Sequence, residues 1–238
     1  MNKGQLVSVV IPAYNEGKII SETITHITTS LDKKKINYEL IIIENGSRDK
    51  TAEIATYLAK KDNRIKVFSQ TLGNYGLALR RGMEESTGEI IINFDADYYD
   101  LEFVTNAITL LHSPQEYDII IASKHLKNSK DERSIFRRII SKSFNIVLLL
   151  ITGLKVSDTH GIKAWRNTPL LRAMMRKTKG ISNVYDTELI LRMQRNRAKI
   201  KEIPIWVREL RRTRSGIIKR TWTTIFEIKD LVMVLLKE

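Results

Sequence analysis

The 238-residue sequence contains no cysteine. That excludes a disulfide framework, a thiolate metal site and a cysteine nucleophile, and it fits a reducing compartment. Only four prolines occur, with no proline-rich linker, internal repeat or low-complexity tract, so one domain with a C-terminal elaboration is the simplest division. The longest near-apolar run, Phe144 to Leu154, already contains Asn145 and Thr152 and is far shorter than the roughly 20 residues that span a bilayer. At the N-terminus, Pro12 and Asn15 interrupt an apolar stretch too short for a signal peptide. These absences predict a cytoplasmic protein, soluble or lying peripherally on a membrane face.

Hydrophobic residues make up 42% of the chain, enough to bury a core and to rule out general disorder. The net charge of +13 is unevenly spread. Residues 1–119 carry 13 basic and 17 acidic side chains, whereas residues 120–238 carry 27 and 10. The basic half needs an anionic partner. A nucleic-acid module would interleave stacking aromatics with its cations; aromatics are only 7% of this chain, and Trp222 and Phe226 fall on an apolar helical stripe, so nucleic acid is the disfavoured partner.

The first half alternates β-branched runs with helical patterns. Strands are expected at Val7 to Ile11, Glu39 to Ile43, Ile65 to Phe68, Glu89 to Phe94 and Asp118 to Ala122, with helices through Ile19 to Ile27, Thr51 to Lys61 and Leu77 to Ser86. This predicts an α/β, Rossmann-like, mostly parallel sheet flanked by helices, with ligands at the carboxyl ends of its strands. Residues 1–122 then form a nucleotide-binding half, and residues 123–238 an acceptor-binding and membrane-facing half of the same domain. In the second half, Arg133 to Ile151 and Ile218 to Leu235 read as basic amphipathic helices.

The sharpest chemical feature is Asp95-Ala96-Asp97, directly after the apolar strand. Side chains two apart on an extended backbone point the same way, so both carboxylates should project together from the ligand edge. Two hard oxygen donors suit Mg²⁺ or Mn²⁺ shared with a substrate diphosphate, although a bare pair of loop acids would look the same. Pro12-Ala13-Tyr14-Asn15-Glu16 ends the first strand and Glu44-Asn45-Gly46-Ser47-Arg48-Asp49 the second. Each alone reads as a turn with a helix cap; three polar strand ends on one edge point jointly to a nucleotide-diphosphate site.

These blocks carry a resemblance. V-S-V-V-I-P-A-Y-N-E, I-I-I-E-N-G-S-R-D-K-T, G-N-Y-G-L-A-L-R-R-G and G-E-I-I-I-N-F-D-A-D, in that order, resemble glycosyltransferase family 2, and within it the dolichyl-phosphate mannose and glucose synthases. I-A-S-K, D-T-H-G-I-K, Y-D-T-E-L and I-K-E-I-P-I-W-V extend the similarity over nearly the whole chain. The resemblance implies a glycosyltransferase A-type fold, a nucleotide-diphosphate-sugar donor (GDP-mannose or UDP-glucose), a divalent metal, inversion at the anomeric carbon, and a polyprenyl (dolichyl) phosphate acceptor of the kind used in protein glycosylation. It places Pro12, Tyr14, Glu16, Ile43 and Asn45 against the nucleoside, and Asp95, Ala96 and Asp97 at the metal and diphosphate. It assigns catalytic roles to Asp97, Lys124, Arg138 and Arg212, with Lys124, Arg212 and Lys219 also meeting the nucleotide sugar.

The chain departs from the family pattern at three positions. Glu44-Asn45 stands where two aspartates are usual, Tyr99 where a glutamine often helps hold the metal, and Lys124 where an arginine is usual. It also lacks the Q-x-x-R-W element of polysaccharide synthases, which argues against a processive enzyme. A lipid phosphate is already ionised at neutral pH and needs cations to hold it in line rather than a base. The rival is a family 2 transferase acting on a sugar hydroxyl, with Asp158, Asp186 or Glu188 available as base; a silent relative is a third reading. The amphipathic stripes fit an anionic membrane surface, or else packing on the sheet or a homodimer contact.

Overall fold

The computed structural model describes residues 5–71, 73–132, 135–180 and 184–207. Strands β1 (Leu6–Ala13), β2 (Asn37–Asn45), β3 (Ile65–Gln70) and β4 (Ile90–Asn93) alternate with helices α1 (Ile20–Lys33), α2 (Thr51–Ala59) and α3 (Tyr75–Glu85). There follow α4 (Leu101–Leu111), β5 (Ile119–Ser123), β6 (Lys130–Asp131), α5 (Ile135–Thr152), β7 (Lys163–Arg166), α6 (Pro169–Lys177), α7 (Val184–Arg195), β8 (Ile200–Pro204) and β9 (Trp206–Val207).

The main sheet has seven strands in the order β3-β2-β1-β4-β7-β5-β8. All pairs are parallel except those of β7, which runs antiparallel to both β4 and β5. The strand order reverses beside β1, so the crevice between the carboxyl ends of β1 and β4 is the ligand position expected of an open α/β sheet. Because β7 is reversed, its first residue, Lys163, lies at that same edge, paired with Asn93. The sheet draws strands from both halves of the sequence into one body.

Both faces are covered, which is why the strands read as continuous apolar runs. Ile20, Ile24, Ile27 and Leu31 of α1, with Phe103, Val104 and Ala107 of α4, pack on one face. Leu79 and Met83 of α3, Met174 and Met175 of α6 and Leu189 and Ile190 of α7 pack on the other. Gly82 lets α3 approach β1: a Cβ there would fall 2.2 Å from Val10 Cγ1. Glu39 closes the opposite end of the sheet. It is buried and accepts from Ser8 Oγ (2.5 Å), Thr87 N (2.7 Å) and Lys66 Nζ (2.6 Å).

Helix α5 is different. Of its described side chains only Leu148 is buried, while Ile135, Ile139, Ile146, Leu149, Leu150 and Ile151 are exposed, Ile135 and Leu150 by 73% and 78%. Arg138 and Lys142 on the same helix are exposed too. Its polar side chains fasten it to the rest: His125 Nε2 lies 3.2 Å from Ser141 Oγ, and Asn145 Nδ2 donates to Ser157 O. No helix among the described residues is long and apolar enough to cross a membrane. The stripe from Ile218 to Leu235, with Lys219, and Arg212 before it lie outside the described residues.

Candidate active site

The loops after β1 and β2 are laced together. Asn15, held at φ 54°, donates its backbone N–H to Ser47 Oγ (3.0 Å) and accepts Arg48 N at Oδ1 (2.8 Å). Glu16 N donates to Thr51 Oγ1 (2.7 Å), and Gly17 N to Asp49 Oδ2 (2.9 Å). The buried Glu44 accepts Ser47 N at 2.5 Å and so closes the turn in which Gly46 takes φ 73°, a conformation that suits glycine. Asn15 and Glu16 therefore build an inter-loop brace rather than the side-chain cap of α1, whose N-cap is Ile19. Pro12 and Ile43 are buried beneath this brace, while Tyr14 stands above it, 43% exposed.

Asn45, buried at the end of β2, accepts Asn74 N at Oδ1 (2.8 Å) and also takes an N–H of Gln70 there. Asn74 in turn caps α3 by accepting Leu77 N at 3.0 Å. One side chain thus links β2, β3 and α3.

The Asp95-Ala96-Asp97 segment is not extended as the spacing suggested. Strand β4 stops at Asn93, and Asp95 and Tyr98 exchange backbone hydrogen bonds (3.1 and 3.2 Å) across a tight turn. Ala96 is buried at its apex, and its carbonyl accepts Thr23 Oγ1 from α1 at 2.8 Å. The two carboxylates flank the turn, Asp97 exposed and Asp95 half-buried, and still feel one another. Burial, followed by the charge of Asp97, raises the Asp95 carboxyl to about 7. Tyr75 OH lies 3.3 Å from Asp95 Oδ1, and burial pushes that phenol well above its ordinary value.

Two like charges held together fit a cation. No group of three or more His, Asp or Glu among the described residues could hold a metal. Asp95 and Asp97 could therefore provide two ligands, with phosphate oxygens and water completing the sphere, the arrangement typical of Mg²⁺ or Mn²⁺ on a diphosphate. Tyr99, where a third protein ligand was in question, turns away: its hydroxyl lies 2.9 Å from His26 Nδ1 on α1, and its ring packs against His26 and Phe94.

Three more charged pairs gather in the second half. Lys124, just past β5, places Nζ 2.7 and 2.5 Å from the two oxygens of Asp158. Both are nearly or fully buried. Burial pushes the Asp158 carboxyl up, but Lys124 and the nearby histidines hold it below its ordinary value. Gly161 beside it has no room for a side chain, since a Cβ would meet Ala122 O at 2.4 Å.

Lys163, wholly buried, donates to Gly161 O and to Asp186 Oδ2, each at 2.7 Å. Asp186 Oδ1 is buried with no hydrogen-bond partner. Glu188 accepts Gly180 N (2.6 Å) and Arg192 Nε (2.7 Å), locking the approach to α7. Of the cations anticipated from sequence, Lys124 sits at the ligand edge and Arg138 on the exposed α5, while Arg212 and Lys219 lie outside the described residues. Sequence reasoning counts Lys163, in the D-T-H-G-I-K block, among the candidate cations of the second half, but passes over Tyr75.

Comparison with known proteins bears on the family and the fold. The profile described as Glycosyl transferase family 2 matches residues 8–174. The chain is 30% identical over 208 residues to glycosyltransferase AglD of Haloferax volcanii, covering 85% of this chain and 33% of that protein. It is 30% identical over 183 residues to an undecaprenyl-phosphate 4-deoxy-4-formamido-L-arabinose transferase of Pseudomonas fluorescens, covering 72% and 50%. It is 27% identical over 231 residues to the dolichyl-phosphate beta-glucosyltransferase ALG5A of Trichomonas vaginalis, covering 90% and 70%. The chain thus spans between a third and a half of the first two relatives.

Among solved structures, glucosyl-3-phosphoglycerate synthase of Mycobacterium tuberculosis, crystallised with Mn²⁺, UDP-glucose and phosphoglyceric acid, superposes with a TM-score of 0.70 at 17% identity, over 98% of this chain and 79% of that one. Mannosyl-3-phosphoglycerate synthase of Rubrobacter xylanophilus superposes with 0.74 at 13% identity, over 98% and 74%. At these identities the likeness is one of fold, that of the A-type glycosyltransferases.

Proposed function

The chain belongs to glycosyltransferase family 2, and from that premise we propose that it is an inverting, metal-dependent enzyme moving a hexose from a nucleotide-diphosphate sugar, GDP-mannose or UDP-glucose, to a polyprenyl phosphate at a membrane surface. The observation that carries the donor half is the Asp95–Tyr98 turn at the strand-order reversal, where a half-buried carboxyl is held near 7 by burial and by its neighbour Asp97. A divalent cation bound there would neutralise charge developing on the leaving diphosphate. Asp95 and Asp97 would hold it, and the braced loops of Tyr14 to Glu16 and Ile43 to Asn45 would seat the nucleoside.

The acceptor half rests on charge and on α5. A phosphate nucleophile requires cations that orient it; Lys124 and Arg138, together with Arg212 and Lys219, are the candidates. The six exposed apolar side chains of α5, with Arg138 and Lys142 beside them, suit a helix lying in the headgroup layer. That would bring the ligand edge to a lipid that stays in the bilayer. The polyprenyl-phosphate chemistry named for two of the relatives supports the same acceptor class.

One observation favours a second reading. The unpartnered Asp186 Oδ1 could serve as a base toward a sugar hydroxyl. Against it, Asp186 is closed off from solvent and its other oxygen is tied to Lys163. Asp158 is a poorer candidate, since both its oxygens face Lys124. The deciding experiment incubates the protein with radiolabelled GDP-mannose or UDP-glucose, polyprenyl phosphate in vesicles and Mn²⁺. Label entering the organic phase is expected, and none from any donor overturns the proposal. An Asp186→Asn variant that loses turnover yet still binds donor would turn the reading toward a hydroxyl acceptor.

A further inference from the structure

The carboxamide of Asn45 can meet a ligand in only one way. Its Oδ1 faces the backbone N–H of Asn74 at 2.8 Å and an N–H of Gln70. A backbone N–H must point at an acceptor, so the orientation of the amide is fixed and its oxygen is spent. The Nδ2 group makes no hydrogen bond among the described residues, and its two N–H groups are what remains to present.

They sit at the end of β2, close to the exposed ring of Tyr14. Gly73 lies between the two: a Cβ there would come 3.3 Å from Asn45 O and 3.3 Å from Tyr14 Cε2. Tyr14 exposes its ring while the loops beneath it are braced. A flat heterocycle can lie along the ring and reach Asn45 with its edge.

We propose that Asn45 reads the donor base as a hydrogen-bond donor, giving an Nδ2 N–H to a ring carbonyl on the edge that faces it: O4 of uracil or O6 of guanine. This rests on the nucleotide-sugar reading above and adds the polarity of base recognition to it. An aspartate at position 45 would keep the oxygen that Asn74 and Gln70 need, but would present an anion outward. That anion repels a carbonyl and attracts the amino group that replaces it in cytosine or adenine.

The test is calorimetric binding of UDP and CDP, each with Mn²⁺, to the wild type and to Asn45→Asp; for a purine-selective site the pair is GDP and ADP. Manganese pyrophosphate, which has no base, serves as the control and should bind both proteins alike. The UDP:CDP (or GDP:ADP) affinity ratio is expected to fall by about tenfold or more in the variant, the loss associated with one good polar contact. A smaller fall, no change or a rise means that an oxygen accepts the ring N–H, and overturns the proposal.

Should Asn45→Asp lack a cooperative thermal transition, the wild type decides alone. 4-Thiouridine diphosphate or 6-thioguanosine diphosphate, whose sulfur is a weaker acceptor, should bind more weakly than its oxygen parent, and equal binding overturns the idea. If none of the four ordinary nucleotides binds, the donor reading falls and this proposal with it. If one binds and the ratio does not fall, this proposal falls alone.

Discussion

Lys163 and Asp186 form an ion pair inside the molecule, Nζ to Oδ2 at 2.7 Å, with neither side chain more than 3% exposed. Strand β7 supplies the cation and α7 the anion, so the contact ties the reversed strand to the helix that covers it. Removing one partner leaves a buried charge uncompensated. Lys163→Met should therefore cost about 3–5 kcal/mol in chemical denaturation, and adding Asp186→Asn should recover part of it. Equal destabilisation by the single and double variants would show that the pair is not coupled.

Glu39 sets an acid limit to stability. Burial pushes its carboxyl up, but hydrogen bonds from Lys66, Ser8 and Thr87 overcome that and hold it at about 2, against an ordinary value of 4.5. A depressed carboxyl stabilises the fold above its unfolded value, and that contribution is lost as pH falls from about 4.5 through about 2. Glu39→Gln should lower stability at pH 7 by about 3 kcal/mol. It should also flatten the stability profile across that window, as followed by urea midpoints. An unchanged slope in the variant would refute the assignment.

Asp95 has the opposite sign. Raised from 3.8 to about 7 by burial and by Asp97, it carries a proton below that pH, and a cation must displace it. Affinity for manganese pyrophosphate should rise by about tenfold per pH unit up to about 7 and then level off. Because a raised carboxyl disfavours the folded state once ionised, metal-free Asp95→Asn should melt higher than the wild type at pH 8 while losing turnover. A lower melting point would contradict this.

The exposed face of α5 can be altered without touching the core. Leu150→Ser removes an apolar contact worth about 1–2 kcal/mol, a loss of about tenfold in partition to anionic vesicles. Thermal stability and hydrolysis of a soluble donor should stay unchanged. Liposome flotation checks the first, and retained flotation in a Leu149→Ser/Leu150→Ser variant would remove α5 as the contact.

The sequence made the first five strands legible because β1, β2, β4 and β5 are buried on both faces and read as apolar, largely β-branched runs, as in Ile90 to Ile92, while the partly buried edge strand β3 keeps Ile65, Val67 and Phe68. β7 escaped for the opposite reason. Lys163-Ala164-Trp165-Arg166 shows no apolar period, yet the ladder places it in the centre of the sheet, where Lys163 finds Asp186 and Trp165 Nε1 donates to Asn93 Oδ1 at 2.9 Å. Such a strand is specified by long-range partners that local periodicity does not record. The two aspartates of the D-A-D segment were plain in sequence, but their turn was not, because it depends on Thr23 of α1 holding the Ala96 carbonyl. Tyr99 could be noticed as a departure, but its turn toward His26 required α1 to pack beside the turn that follows β4.

The reversed strand has one more consequence. A cation carried on a loop must be immobilised each time it is used, whereas Lys163 is the first residue of a strand laddered on both sides. Its charge is fixed behind Asp95 before any ligand arrives, so reaction there would proceed against a field already oriented, with little rearrangement left to perform.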